Sequence, residues 1–309
     1  MKIYKPNFWK TKLNIFSVML FPFSLLTSLV VFLKKKIIKP INFKTKIICI
    51  GNLYLGGTGK TPLSILLAEE LEKIGKNPAI VKKYYKNQED ERDLIIHHFS
   101  KLISMKSRVK AIYEAMEKKF ETIILDDGFQ DYKIKKNVSI LCFNEKQLIG
   151  NGLIFPSGPL RENLNSVKDA DIILINGKRN IKFEKKILGI KSGLEVFYSN
   201  YKLINFEKYE NKKLFAFAGI GNPENFFSLL ENYNLKVIEK MSFPDHYQFT
   251  SSDLKFIISK AKKQDAVLIT TEKDYFRIKN LKIDEIKYVE LKLQIQNKEK
   301  FLKSVIEKI

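Results

Sequence analysis

Residues 51–61 read Gly51-Asn52-Leu53-Tyr54-Leu55-Gly56-Gly57-Thr58-Gly59-Lys60-Thr61, with an apolar run before them and an amphipathic one after. Lys46–Ile50 has the pattern of a buried strand and Pro62–Ile74 that of a helix. A glycine-rich turn between strand and helix that closes on Gly-Lys-Thr is the context a P-loop demands. There Gly56, Gly57, Thr58 and Gly59 turn backbone N–H groups inward around phosphate oxygens, and the helix N-terminus adds its positive end. Lys60 is expected to reach the β- and γ-phosphates of ATP, and Thr61 to hold Mg²⁺ through its hydroxyl. The general pattern has a glycine five residues before Gly59, where this chain has Tyr54. The competing reading is a glycine turn without a nucleotide.

A strand that feeds a P-loop belongs to a parallel sheet, and the downstream pattern agrees. Apolar runs at Asn77–Val81, Glu121–Leu125, Val138–Phe143 and Asp171–Ile175 alternate with helical patterns at 89–99 and 106–119. This rhythm predicts βαβ units with helices on both faces. Residues 195–213 change character: Val196–Tyr201 and Tyr201–Tyr209, rich in Tyr and Phe, read as strands or a hairpin joining two lobes. A second series follows, with strands at Leu214–Ala218, Val237–Met241, Ala266–Thr270 and Tyr288–Leu293 and helices near 223–232, 251–263 and 297–308. The predicted fold is α/β: a P-loop NTPase-like parallel-sheet lobe at 41–195, linker strands at 196–212, and a smaller α/β lobe at 213–309.

Two acids, Asp126 and Asp127, end the apolar run Ile123-Ile124-Leu125. The C-terminal edge of a strand is where open α/β sheets take ligands, so one of them is expected to bind or orient Mg²⁺. The alternative is a solvated Asp-Gly turn. Asp90 and Glu91 open a helical pattern and, taken alone, read as first-turn acids on the helix dipole. His246 lies in an aromatic, Pro-containing loop, where a packed, hydrogen-bonded His is the plain reading. Cys49 and Cys142 sit singly in strand-like runs, which predicts buried free thiols in a reducing compartment.

Residues 1–40 are a third segment. Leu13–Leu33 is the one long apolar stretch, about 32 Å as a helix and long enough to span a bilayer. Asn14, Ser17, Ser24 and Ser28 recur at helical spacing as one narrow polar stripe. Residues 1–48 contain ten Lys and no Asp or Glu, nearly half of the chain's +21 formal charge. Spanning would carry Lys2, Lys5, Lys10 and Lys12 across the bilayer, against the positive-inside tendency. Lying in the headgroup layer keeps every lysine at an anionic membrane surface, and a membrane-associating helix is the expectation. The basic excess also raises nucleic acid as a partner. Only five of the 55 basic residues are Arg, and no recognition motif is present, so no nucleic-acid partner is expected.

The motifs in order resemble the tetraacyldisaccharide 4'-kinase (lipid A 4'-kinase) family. They are Gly51–Pro62 (GNLYLGGTGKTP), Leu125–Gln130 (LDDGFQ), Gly150–Glu162 (GNGLIFPSGPLRE), Phe217–Phe227 (FAGIGNPENFF), Phe243–Phe249 (FPDHYQF) and Thr271–Asp274 (TEKD). The resemblance implies transfer of the γ-phosphate of ATP to the 4'-hydroxyl of a tetraacyl-disaccharide 1-phosphate, a lipid A precursor. It places the reaction at the cytoplasmic face of the bacterial inner membrane, with the active site between two lobes; a monomer is expected. It assigns a catalytic Asp acting with the His of the FPDH run, here Asp90 beside Glu91, and His246. In the family a Gly precedes that Asp; this chain has Glu89. The family's upstream Ser-Arg-Gly-Tyr run stands here as Lys82-Lys83-Tyr84-Tyr85. Arg161 and Glu162 keep the family pattern and are carried over for phosphate or metal binding, and Gln130 as a further site residue. Asp90 and His246 fall in different expected lobes, so closure of the lobes on substrate is expected to bring them together.

Rival readings are a membrane partitioning ATPase switch, which needs no hydroxyl acceptor, and a GTPase, which TEKD at 271–274 does not fit because it lacks the Lys of a guanine-reading NKxD run.

Overall fold

A computed structural model describes residues 6–11, 14–86, 88–245, 247–281 and 283–309. In chain order the elements are α1 (Ile15–Ile37), β1 (Lys46–Gly51), α2 (Lys60–Lys73), β2 (Pro78–Lys83), α3 (Glu89–His98), β3 (Leu102–Met105), α4 (Arg108–Glu117), β4 (Thr122–Asp126) and β5 (Val138–Asn144). Then come β6 (Ile172–Asn176), α5 (Ile181–Leu188), β7 (Glu195–Ile204), β8 (Leu214–Ala218), α6 (Pro223–Asn232), β9 (Val237–Ser242) and α7 (Ser251–Lys263). The last are β10 (Val267–Thr271), α8 (Glu272–Ile278), β11 (Ile286–Ile295) and α9 (Lys298–Ile306).

The chain divides into two compact bodies. The P-loop body holds the described residues of Lys5–Tyr84, Phe99–Asn200 and Gln294–Ile309; the second holds those of Tyr85–His98 and Tyr201–Leu293. In the P-loop body the strand order is β3-β2-β4-β1-β5-β6-β7, parallel at each pairing. Strands covered on both faces have no room for polar alternation, and β1, β4, β5 and β6 are buried almost end to end. One core of Ile47, Cys49, Leu125, Leu141, Ile173 and their neighbours fills the space under the helices. The second body is a parallel β11-β10-β8-β9 sheet with a core on each face, one around Phe226, Phe227 and Leu230, the other around Phe217, Leu254 and Ile257.

The helix starts carry their own signals. Ser107 caps α4, Thr250 and Asp253 form a capping box on α7, and Pro223 opens α6, each supplying a partner to, or removing, an orphan N–H.

Three expectations change. Of the strands or hairpin expected at 196–212 the structure has one strand: β7 runs unbroken through Tyr201 to Ile204, followed by one short turn of helix at Glu207–Tyr209. Residues 85–98, expected in the P-loop lobe, join the second body, where α3 packs on α8. Residues 294–309 join the P-loop body: α9 buries Phe301 and Val305, and the Phe301 ring meets that of Phe197 edge-on at 5.2 Å.

Helix α1 also belongs to the P-loop body, and its polar stripe faces inward. Ser17 and Ser24 are buried. Ser24 Oγ donates to the Ile154 carbonyl at 2.7 Å and accepts from the Ser157 N–H at 3.0 Å. Ser17 Oγ accepts from Asn151 Nδ2 at 3.2 Å. Near the last turn Lys35 pairs with Glu162 and Asp169, each at 2.8 Å. Trp9, buried, donates from Nε1 to the Pro156 carbonyl. The helix is thus fixed to the 151–169 segment along its whole length, while Phe16, Met19, Phe23, Leu26, Val30 and Ile37 are exposed.

Candidate active site

Local sequence builds the phosphate loop. Gly56 and Gly59 have φ of 123° and 92°, values that glycine adopts without the steric cost of a side chain. A Cβ at Gly57 would meet nothing within 4 Å, so the loop is open on that side. Asn52, wholly buried, is the internal brace: its Nδ2 donates to the Tyr54 and Gly56 carbonyls and to Thr58 Oγ1 at 2.6, 3.2 and 3.0 Å. The 150–162 segment supports the loop from outside. The Leu55 N–H donates to the Pro159 carbonyl and the Arg161 N–H to that of Leu53.

At the end of β4 the two acids take different partners. Asp126 is fully buried. It accepts from Thr61 Oγ1 and Ser64 Oγ, both at 3.1 Å, and from Lys82 Nζ at 2.6 Å. Asp127 turns out of the strand with φ of 56°, a left-handed conformation that Asp tolerates better than most residues. Its Oδ1 accepts from Arg161 Nη1 at 2.8 Å and lies 3.7 Å from Lys60 Nζ. Burial alone would raise the Asp127 carboxyl. The Lys60 and Arg161 cations outweigh burial and hold it well below the usual carboxylate range. Gln130 Oε1 accepts from Arg161 at 3.4 Å, and Gln130 Nε2 donates to the Asn52 carbonyl.

The structure therefore brings together Lys60, Thr61, Asp126, Asp127, Gln130 and Arg161. Glu162 does not join them. Its carboxylate is buried against Lys35 and accepts from Ser166 Oγ at 2.7 Å, so it ties α1 to the 151–169 segment. Burial would lower the Lys35 ammonium; hydrogen bonds to Asp169 and Glu162 raise it instead.

Lys82 and Arg108 escaped the sequence reading. Lys82 stands opposite Asp126 in the β2–β4 register. Arg108, buried in the first turn of α4, donates to the Asp126 and Asp127 carbonyls at 3.4 and 2.6 Å. The signal for Lys82 was a lysine closing the apolar run Pro78–Val81, which is legible only once β2 and β4 are known to be neighbours.

In the second body, Asp90 is buried on α3 and held by Arg277 of α8, whose Nε and Nη2 both donate to Oδ2, at 3.2 and 2.5 Å. Arg277 Nη1 also donates to Asp274 Oδ1 and to the Gly219 and Tyr247 carbonyls, at 2.6, 3.1 and 3.3 Å. Asp274 accepts from the Gly219 N–H and Thr271 Oγ1. Beside this, Lys273 Nζ pairs with Glu91 at 2.8 Å. Burial would lower the Lys273 ammonium, but Glu91, Asp245 and Asp90 raise it. So Thr271–Asp274 is a clamp for the Asp90–Glu91 pair, and its partner Arg277 lies just beyond the motif. Tyr247 follows His246 directly. The Arg277 contact to its carbonyl ties the 243–249 loop to the group that holds Asp90, within one body and without lobe closure. His246 itself lies outside the described residues. Phe217, Phe243, Tyr247 and Phe249 pack ring to ring under that loop.

Chemically, the P-loop body offers cations, backbone N–H groups and hydroxyl and carboxylate oxygens. Oxygen donors of this kind suit Mg²⁺, and Thr61 beside Asp126 is the pair positioned to hold one.

The family model for tetraacyldisaccharide-1-P 4'-kinase matches residues 16–309. A tetraacyldisaccharide 4'-kinase from Pelagibacter ubique is 40% identical over 310 residues, 99% of this chain and 98% of that protein. One from Rickettsia canadensis is 34% identical over 96% of this chain and 94% of its own length. A crystal structure of LpxK from Aquifex aeolicus in complex with ATP superposes with a TM-score of 0.73 at 25% identity, covering 95% of this chain and 99% of that one. Phosphate loop, strand-end carboxylates and Asp90 clamp thus sit in a chain similar end to end to these enzymes, and it belongs to the tetraacyldisaccharide-1-P 4'-kinase family.

Proposed function

We propose that the protein transfers the γ-phosphate of ATP to the 4'-hydroxyl of a tetraacyl-disaccharide 1-phosphate. The observation that carries this is the joining of a braced P-loop to Lys60, Arg161 and an Asp127 carboxyl that those cations hold well below the usual range, in a chain of this family. Lys60 and the loop N–H groups hold the β- and γ-phosphates and offset charge that spreads over the transferring oxygens. Asp127 fixes where the Lys60 and Arg161 cations stand. Thr61 and Asp126 would hold Mg²⁺, which when bound would neutralise phosphate charge. Lys82 and Ser64 orient Asp126 for that task.

The second body supplies the proton acceptor. The sugar hydroxyl must lose its proton as it attacks phosphorus, and a carboxylate fixed by a neighbour can accept it. Asp90 is that carboxylate in this proposal. Arg277 sets its orientation, and His246, in the loop that Arg277 also holds, works with it. The proton leaves the 4'-hydroxyl, the O–P bond forms, and the γ-phosphorus separates from the β-phosphate oxygen of ADP.

A lipid acceptor requires a membrane address. Helix α1 is long and apolar enough to span. Its contacts to the body from Ser17 to Lys35 leave the apolar face outward, which favours lying in the headgroup layer over crossing it. The basic flanks then meet anionic lipid, on the cytoplasmic face of the inner membrane, and the enzyme works there as a monomer.

The test is the position of the new phosphate. Incubation with ATP, Mg²⁺ and tetraacyl-disaccharide 1-phosphate in mixed micelles should give a product phosphorylated on the 4'-oxygen. Inorganic phosphate as the only product would instead indicate an ATPase switch.

A further inference from the structure

The interface between α3 and α8 has a polar rung at each end. At the α3 N-terminus the rungs are Asp90–Arg277 and Glu91–Lys273. At its C-terminus His97 and His98 meet Glu272, the first residue of α8. Both imidazole Nε2 atoms approach the same oxygen, Glu272 Oε1, at 3.8 and 2.8 Å. The three groups offer ligand atoms within 4.8 Å of one another. Glu272 is 6% exposed, whereas the rings are reachable from solvent.

We propose that His97, His98 and Glu272 form a site for a borderline transition-metal dication, Zn²⁺ by preference. Two imidazoles and one carboxylate are a ligand set Zn²⁺ takes, with water at the fourth position. Imidazole selects Zn²⁺ over Mg²⁺, which separates the site from the Thr61–Asp126 pair. Ligand atoms about 2.1 Å from a tetrahedral metal stand about 3.4 Å apart, so the widest separation, within 4.8 Å, needs to contract by up to about 1.4 Å. The partly exposed His97 and His98 rings supply that movement, and the buried Glu272 is the fixed point. Binding would staple the C-terminal end of α3 to the start of α8 and reinforce the interface that carries Asp90. The proposal does not depend on the kinase assignment, and its test reads metal.

The full-length protein in detergent, free of any affinity tag and stripped by a chelator, is titrated with Zn²⁺ against a chromophoric competitor in excess Mg²⁺. One equivalent should bind, and His97→Ala and His98→Ala should each weaken it by about tenfold or more. Co²⁺ in place of Zn²⁺ should give visible d–d bands in the wild type that His97→Ala loses. Because His97 is partly exposed, that variant should keep its fold, checked by circular dichroism. Zn²⁺ should raise the melting midpoint of the wild type and leave that of His97→Ala unchanged. No uptake at about 100 μM Zn²⁺, or uptake of equal strength in both His variants, would overturn the site.

Discussion

Arg277→Gln is the most informative single substitution in the second body. The Arg277 side chain is 4% exposed, and the carboxylates it serves, Asp90 and Asp274, are 3% and 0% exposed. Glutamine keeps part of the volume and removes the cation, leaving two buried acids without the guanidinium they shared. Removing one member of a buried ion pair costs roughly 3–5 kcal/mol, because the surviving charge stays desolvated. Two carbonyls, those of Gly219 and Tyr247, lose a donor as well, so the upper part of that range is expected. With a urea slope of about 1–3 kcal/mol per molar, the second body should unfold more than about 1 M earlier than in the wild type. Tyr fluorescence or circular dichroism follows this transition. Pairing Arg277→Gln with Asp274→Asn should recover part of the loss, since one orphaned charge is then gone. An unchanged midpoint, or no recovery in the double variant, would show that the Arg277 cluster does not hold this body together.

Asp90→Ala and His246→Ala should each lower kcat by roughly 10² or more, and the double variant should be little worse than the worse single one; fully multiplicative losses would separate the two residues. Asp127 has a carboxyl lowered in the folded state. Its stabilisation is therefore present above its unfolded pKa and fades as pH falls through the folded one. The stability gap between wild type and Asp127→Asn should shrink toward acid, and a gap constant from pH 7 to pH 3 would contradict the Lys60 and Arg161 pairing. Burial pushes the Cys49 and Cys142 thiols up to about 11 and about 12, so neither should react with a thiol reagent at pH 8 in the native protein; rapid labelling would place them at the surface.

What was legible in the sequence was local. The P-loop, the strand-end Asp126–Asp127 pair and most strands rest on neighbours within a dozen positions, and the structure places them as expected. The polar stripe of α1 was also readable, because helical spacing alone puts Ser17 and Ser24 on one face. Contacts set by strand order were not readable. Lys82 meets Asp126 only because β2 lies beside β4. Arg277 serves Asp90 only because α3 leaves the P-loop body to pack on α8. At 196–212 one strand stands where two strands or a hairpin were expected, because Asn200 and Lys202 read as turn residues, whereas β7 passes through them without a break. The Arg161-Glu162 pair shows the same limit: successive side chains go opposite ways, Arg161 to Asp127 and Glu162 to Lys35, which adjacency in the sequence does not reveal.

The most direct test compares ADP formed with lipid phosphorylated, for the wild type and for Lys60→Ala, with the acceptor present and absent. Lys60 lies 3.7 Å from Asp127 and builds none of the core, so the variant should fold normally. The wild type should release one ADP per phosphorylated lipid and almost none without acceptor, and Lys60→Ala should do neither. Acceptor-independent ADP release by the wild type, or near-normal transfer by a folded Lys60→Ala protein, would contradict phosphoryl transfer from this P-loop to lipid.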